Sequence, residues 1–338
     1  MVPVHDSSTP LDAPLTIGHG PHVVHVPNRV FLAPMSGVSD LPFRRLASEF
    51  GAGLVVSEMV ASKEFVVGNA ASRSRADTRG LPVRAVQLAG RTPEWMASAA
   101  RAAERGGAQL IDINMGCPAK KVVGGASGSA LMRDLELALR LIEATVRAVD
   151  VPVTLKMRLG WDERTINAPE LAARAEAAGV AMLTVHGRTR CQFYMGQADW
   201  TAVAAVTRRV RIPVVVNGDI GSLETARTAM RASGASAVMV GRATYGRPWL
   251  PGAIAAEAGG RRTPRFGGTD LPAMHYEAML EHYGPEVGGR VARKHLGWYL
   301  DMMGGVDADT RRHVLTEPDP ARVSAMLRDL DAPRLAAA

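Results

Sequence analysis

Leu110-Ile111-Asp112-Ile113-Asn114 runs straight into Met115-Gly116-Cys117-Pro118, and the change of character along this stretch decides the fold. It starts as a short apolar run and ends on a polar, glycine-bearing tip. Seven more runs carry the same signature, at residues 30–34, 53–57, 84–88, 153–158, 182–186, 214–217 and 237–241. Each is four to six residues long, and several are rich in Val and Ile. Such runs read as strands buried on both faces. Helical patterns lie between them, at 40–50, 94–105, 134–149, 169–178, 200–210, 223–233 and 248–258. Asp40 caps the first, Thr92-Pro93 opens the second, and Gly51, Gly106 and Gly179 stop three of them. Residues 61–80 are polar and take no clear assignment.

Strands that alternate with helices predict a parallel sheet. Eight strands over roughly 230 residues are expected to close a (β/α)8 TIM barrel. A doubly wound open sheet is the alternative. It would carry a Gly-rich turn after its first strand, and Ala33-Pro34-Met35-Ser36-Gly37 is not that turn. Past residue 258 the pattern changes. Residues 259–270 read as a Gly-, Arg- and Thr-rich linker, and 272–283, 288–303, 308–315 and 320–330 are helical without any β-rich run. The expected organisation is an N-terminal extension over 1–29 with room for a hairpin, a catalytic barrel over 30–260, and a small all-helical domain over 261–338.

Composition bounds the partners. The chain has 338 residues, 47% hydrophobic and 22% charged, as in a soluble globular protein. No apolar stretch reaches the ~20 residues of a membrane span. The first residues lack a basic start and a continuous apolar run, so a secretory signal is not expected. Two cysteines make no disulfide framework and have no metal-ligand spacing. The expectation is a cytoplasmic, metal-free monomer. Net charge is +7, yet residues 259–338 hold 11 basic and 11 acidic residues, so the whole excess lies earlier. Any polyanion must then be gripped by folded surface rather than by a basic arm. Of the basic residues 35 are Arg and 5 are Lys, which singles out the lysines that persist: Lys63, Lys120, Lys121, Lys156 and Lys294.

In this barrel type the active site sits at the C-terminal strand ends. The tips carry Pro34, Met35 and Ser36, then Gln87, Asn114, Cys117, Lys156, Arg158, His186, Arg188, Asn217, Gly218, Asp219, Gly241 and Arg242. Barrel cores favour Val, Ile and Leu, so structure alone does not require these polar types. Gly218, Gly221 and Gly241 follow strands seven and eight, the usual phosphate end, where Arg242 adds a guanidinium fork. Lys156 lies inside an apolar strand, a costly place for an amine without a task. It could form a Schiff base, or it could neutralise an anionic ring such as the edge of a reduced flavin. Gln87, Asn114 and His186 suit the edge of a flat heterocycle. Cys117 precedes a loop, 119–129, with Lys120, Lys121 and small residues at 124–128, and reads as an acid or nucleophile on a lid. Cys191 has no comparable setting.

The run Ala33-Pro34-Met35-Ser36-Gly37-Val38-Ser39-Asp40-Leu41-Pro42-Phe43-Arg44 resembles the opening of the tRNA-dihydrouridine synthases. Asp112-Ile113-Asn114-Met115-Gly116-Cys117-Pro118-Ala119-Lys120-Lys121-Val122 resembles their central motif, and so do Val86-Gln87-Leu88-Ala89-Gly90, Lys156-Met157-Arg158, Val185-His186-Gly187-Arg188-Thr189-Arg190, Asn217-Gly218-Asp219-Ile220 and Gly241-Arg242. Arg293-Lys294-His295-Leu296-Gly297-Trp298-Tyr299 is similar to the bacterial B-type members. The family often has Ala, Asn or Thr where Ser36 and Ser39 stand.

The resemblance implies FMN. Pro34, Met35 and Ser36 would face its ring, Gln87 and Lys156 its polar edge, with His186 nearby. Asn217, Gly218, Asp219, Gly241 and Arg242 would hold the phosphate. It implies NADPH as reductant and tRNA as substrate, with Cys117 protonating uracil C5 as general acid and Asn114 positioning the base. Arg158, Arg188 and Arg190 would ring the mouth as phosphate contacts, joined by Arg293, Lys294 and His295 from the helical domain. The alternative is a flavin barrel acting on a free pyrimidine or related small molecule.

Overall fold

The computed structural model describes residues 9–261 and 270–335. Its strands are β1 (Leu15–Ile17), β2 (Val24–Val26), β3 (Val30–Leu32), β4 (Leu54–Val55), β5 (Val60–Ala61), β6 (Ala85–Ala89), β7 (Leu110–Met115), β8 (Val153–Arg158), β9 (Met182–His186), β10 (Val214–Asn217) and β11 (Ala237–Val240). The last nine form one parallel sheet in the order β4-β3-β11-β10-β9-β8-β7-β6-β5. Val56 closes it into a barrel by bridging Ala85 in parallel, and the Ser57 N–H donates to Ala85 O at 3.1 Å. One stave is therefore built in two pieces: β4 pairs with β3, and β5 continues along β6. All eight expected runs are staves, and the open sheet is excluded.

Barrel helices are α1 (Leu41–Glu49), α2 (Ser62–Val66), α3 (Ala70–Ala76), α4 (Pro93–Arg105), α5 (Lys120–Gly124), α6 (Leu135–Val146), α7 (Ala168–Ala177), α8 (Trp200–Thr207), α9 (Leu223–Ser233) and α10 (Leu250–Ala258). Polar caps fix their starts. Asp40 accepts from Phe43 N, Asp134 from Leu137 N and Asp199 from Ala202 N, while Ser222 and Thr225 form a reciprocal box. The unassigned stretch 61–80 supplies the end of β5, then α2 and α3. Most of the expected linker lies outside the described residues.

Strand alternation sorts the side chains. Ile111, Ile113 and Met115 of β7 and Val153, Leu155 and Met157 of β8 pack outward against helix residues such as Met96, Leu141 and Leu171. Inward residues at the barrel floor, among them Phe31, Leu54, Ala85, Leu110, Val215 and Met239, form a separate core. The antiparallel β1–β2 hairpin seals that floor with Leu15, Ile17, Val24 and Val26. Above the floor the inward positions turn polar: Gln87, Asp112, Asn114, Thr154, Lys156 and Arg158, all buried.

Beyond residue 270 come α11 (Leu271–Tyr283), α12 (Pro285–Met303), α13 (Ala308–Thr316) and α14 (Pro320–Leu335). Their core holds Tyr276, Met279, Leu296, Leu300, Val314, Val323 and Leu327. They dock on α1 through a seam of rings. Phe43 meets His275 and His295 at centroid distances of 5.8 and 5.5 Å, and Tyr283 Oη donates to Asp40 at 3.2 Å. Trp298 of α12 stacks on Tyr245 of the barrel at 4.1 Å. No described helix is long and apolar enough to cross a membrane.

Candidate active site

A cavity of about 790 Å³ opens at the C-terminal strand ends. Pro34, Met35, Ser36, Gln87, Asn114, Cys117, Lys156, Arg158, His186, Asn217, Gly218, Asp219, Gly241 and Arg242 all line it. A second cavity, about 860 Å³, lies on the barrel flank between α3, α4 and His282, and no strand-tip residue lines it. The first is the candidate site.

Its centre is a chain of amides. The Gly116 and Cys117 N–H groups donate to Asn114 Oδ1 at 3.2 and 3.0 Å. Asn114 Nδ2 donates to Gln87 Oε1 at 2.7 Å, and Gln87 Nε2 donates to Asp112 Oδ2 at 2.6 Å. Cys117 is half-buried, and burial pushes its thiol up, so it carries its proton at neutral pH. The loop behind it folds back tightly. Ser129 Oγ donates to Cys117 O at 2.8 Å, and a Cβ on Gly128 (φ +59°) would sit 2.9 Å from that same oxygen. Only glycine fits there.

Lys156 is 9% exposed and donates from Nζ to Asn217 Oδ1 at 2.9 Å. Asn217 is held in turn by its own Nδ2 bond to Met239 O. Burial, then Arg158, lowers the Lys156 amine to about 8, with Asp112 and Cys117 acting the other way. His186 is pushed well below its ordinary value by burial and by the surrounding cations, so its ring is neutral. Gly218, at φ +118°, has no room for a Cβ, which would meet Ala198 Cβ at 2.7 Å and His186 Cδ2 at 2.9 Å.

Several expected contacts sit elsewhere than the rim. Arg188 is 1% exposed and does not line the cavity. It forks onto Asp219 at 3.0 and 2.6 Å and binds Met195 O and Gly196 O, which staples the loop after β9 to the tip of β10. Burial alone would raise the Asp219 carboxyl, but Arg188 and the Ala198 N–H hold it below its usual range. An ionised carboxylate repels anions, so the role the geometry gives Asp219 is to hold Arg188 and Arg242, the latter at 3.4 Å. Arg158 is also buried. It lines the cavity, but Nε donates to Gly116 O and Nη1 to Thr189 O and Phe193 O, so most of its guanidinium is turned onto loop backbone. Arg190 lies over Trp161 and Phe193 at 4.7 and 4.9 Å, outside the cavity lining.

From the helical region, Arg293 is exposed, and Lys294 Nζ lies 3.6 Å from where a Gly37 Cβ would stand, above the Met35–Gly37 turn. His295 is corrected. It is 1% exposed and well below its ordinary pKa, first through burial and then through His275 and Lys294. It therefore offers no charge to RNA.

Sequence reading missed Tyr194 and Asp112. Tyr194 is 48% exposed, lines the cavity, and has Arg158 and Arg242 over its ring at 5.6 and 4.7 Å. Its neighbour Phe193 is held at φ +51°, a conformation rare for a bulky residue. An aromatic in an Arg-rich loop was the available signal.

The closed sheet and its layer of helices make this a (β/α)8-barrel protein. Solved structures agree on the fold. An old yellow enzyme homologue from Zymomonas mobilis superposes with a TM-score of 0.51 at 15% identity, over 74% of this chain and 93% of that one. Histamine dehydrogenase from Rhizobium sp. 4-9 gives 0.56 at 14% identity, over 98% of this chain and 65% of that one. The sequence model of the family Dihydrouridine synthase (Dus) matches residues 31–325, and the chain belongs to that family. It is 56% identical to a probable tRNA-dihydrouridine synthase of Rhizobium leguminosarum bv. phaseoli, over 89% of this chain and 95% of the relative. It is 47% identical to tRNA-dihydrouridine synthase B of Pseudomonas syringae pv. tomato, over 85% and 86% of the two chains.

Proposed function

We propose that the protein reduces specific uridines of tRNA to 5,6-dihydrouridine, as a cytoplasmic monomer with FMN as its flavin and NADPH as reductant. The observation that carries this reading is one cavity lined by a proton-bearing thiol, Cys117, and a buried cation, Lys156.

The residues fit a flavin. Among the described residues Lys156 has one hydrogen-bond acceptor, Asn217, so its ammonium keeps donors for an anionic ring edge. Arg242 and the glycine tips at 218, 221 and 241 offer a fork and accessible backbone to a phosphate. The cavity volume falls in the ~300–1,000 Å³ range of cofactor sites.

Gln87 and Lys156 would hold the polar edge of a reduced flavin, which would provide the hydride for uracil C6. Cys117 delivers its thiol proton to C5, and burial favours that role by keeping the proton on sulfur until it is needed. Asn114 spends its oxygen and one N–H on the amide chain and retains one N–H for a uracil carbonyl. Tyr194 offers an exposed ring against which a base turned out of the RNA can stack. Arg293 and Lys294 supply phosphate contacts from α12.

The test is direct. Purified protein should be yellow, oxidise NADPH, and convert uridine in unmodified tRNA. Turnover of free uridine at the rate of tRNA would instead favour the small-molecule reading.

A further inference from the structure

We propose that Asp112 is a positioning residue, the buried end of a one-way amide relay that fixes the backbone of Cys117 at the root of its lid. The inference rests on the reading of Cys117 as the proton donor.

Register puts the parts together. Gln87, Asp112 and Thr154 are direct neighbours across β6, β7 and β8, and alternation turns all three into the barrel. Asn114 stands two residues along β7 on the same face. The direction of the relay is fixed from the lid end, because a backbone N–H can only donate. The Gly116 and Cys117 N–H groups therefore demand the oxygen of Asn114. Asn114 must then turn its amino group to Gln87, and Gln87 must turn its own toward Asp112. The relay needs an acceptor at its far end. Asp112, 4% exposed, supplies one oxygen to Gln87 and the other to the Thr154 hydroxyl, each at 2.6 Å. Burial works against its charge, and the bonds from Gln87 and Thr154 together with Lys156 oppose that.

Asp112 does not line the cavity, so it touches neither cofactor nor base. Its removal acts through others. Gln87 becomes free to flip, Asn114 loses the acceptor that orients it, and the Cys117 N–H loses its fixed partner.

The test uses the flavin-free protein with Cys191→Ser, so that Cys117 is the sole thiol. Asp112→Ala should raise the iodoacetamide alkylation rate of Cys117 roughly tenfold, the scale of one lost hydrogen bond. Deuterium exchange at the Cys117 amide should quicken alongside it. In the holoenzyme kcat for tRNA should fall with KM for tRNA unchanged. Asp112→Asn keeps an oxygen for Gln87 and can donate to Thr154, so it should restore the alkylation rate to near the parent. Asp112→Ser, too short to reach Gln87, replaces the alanine variant if that one does not fold. A folded alanine or serine variant alkylated at the parent rate overturns the proposal, and so does an asparagine variant as reactive as alanine. The thiol readout needs neither flavin nor RNA. A flat result with an essential Cys117 therefore indicts the relay alone, and a clear result with no uridine reduction indicts only the function.

Discussion

Lys156 at the barrel mouth and Arg44 at the seam between α1 and the C-terminal helices are both cations taken out of water, and they are treated in opposite ways. Arg44 is fully buried and turns Nε and Nη2 onto backbone, Ser39 O at 3.0 Å and Asp77 O at 2.8 Å, while its Nη1 is sealed in the seam without a partner among the described residues. Lys156 makes one hydrogen bond among the described residues and faces a cavity. The histidines divide likewise. His186 lines the cavity, whereas His295 packs among Phe43, His275 and Trp298 and lines neither cavity. Both are pushed well below their ordinary pKa by burial, so a perturbed pKa does not separate site from scaffold. The seam even leaves Nε2 of His275 and His295 without a partner, but packed against rings. Hydrogen-bonding capacity turned onto open space is what sets the mouth apart.

The largest effect that could break this contrast is at Cys117. Cys117→Ala should lower uridine reduction by ~10²–10⁴-fold, the usual worth of a positioned acid, while NADPH oxidation by the bound flavin continues. Dihydrouridine content of tRNA measured beside NADPH consumption separates the two. Full-rate RNA reduction by this variant removes the thiol from the chemistry.

Next comes the staple between the loop after β9 and the tip of β10. Arg188→Leu leaves Asp219 charged with Arg242 as its remaining ion-pair partner, at 3.4 Å. Asp219 is 30% exposed, so the cost is below that of a fully buried orphan, roughly 2–4 kcal/mol in urea unfolding. An unchanged midpoint would show that Arg188 is not structural.

Lys156 sets a pH dependence. Its ammonium is charged below about 8 and neutral above, so flavin affinity should weaken as pH rises through that value. Fluorescence titration of free FMN reads it. Lys156→Met should bind about tenfold or more weakly, the scale of a lost charge-assisted bond, with a flat profile.

Asp40 gives the seam's counterpart. Burial raises its carboxyl to about 6, so its contribution to stability is full below the ordinary value near 3.8 and is lost as pH climbs through about 6. Asp40→Asn keeps a cap for Phe43 N and should flatten that part of the stability profile. Denaturant melts at pH 4 and pH 7 compare the two proteins.

What could be read from sequence follows from the same physics. The eight staves were legible because a buried parallel strand leaves a compact apolar run. The mouth was legible because apolar strands end on polar and glycine-bearing tips, and at Gly128 and Gly218 the backbone leaves no room for a side chain. The two-residue strand β5 left no period to detect. Asp112 looked like any strand residue, since its meaning comes from Gln87 and Thr154 on neighbouring strands. His295 was misjudged although the signal existed. Residues advance about 100° around a helix, so His295 lies about 200° from Arg293 and cannot share its exposed face.

That geometry yields the smallest expected effect. Arg293→Ala with Lys294→Ala should weaken tRNA binding at low salt and reduce the slope of log affinity against log salt by about 2, one unit for each phosphate that is no longer neutralised. His295→Leu should leave both affinity and slope unchanged, because a neutral ring sealed among Phe43, His275 and Trp298 neither attracts a phosphate nor releases a counterion. Its effect should fall on the docking of α12, read as a shift in melting temperature. Binding curves at several salt concentrations decide it: a slope that fell with His295→Leu would mean that the seam opens to RNA and that the division between mouth and seam is not fixed.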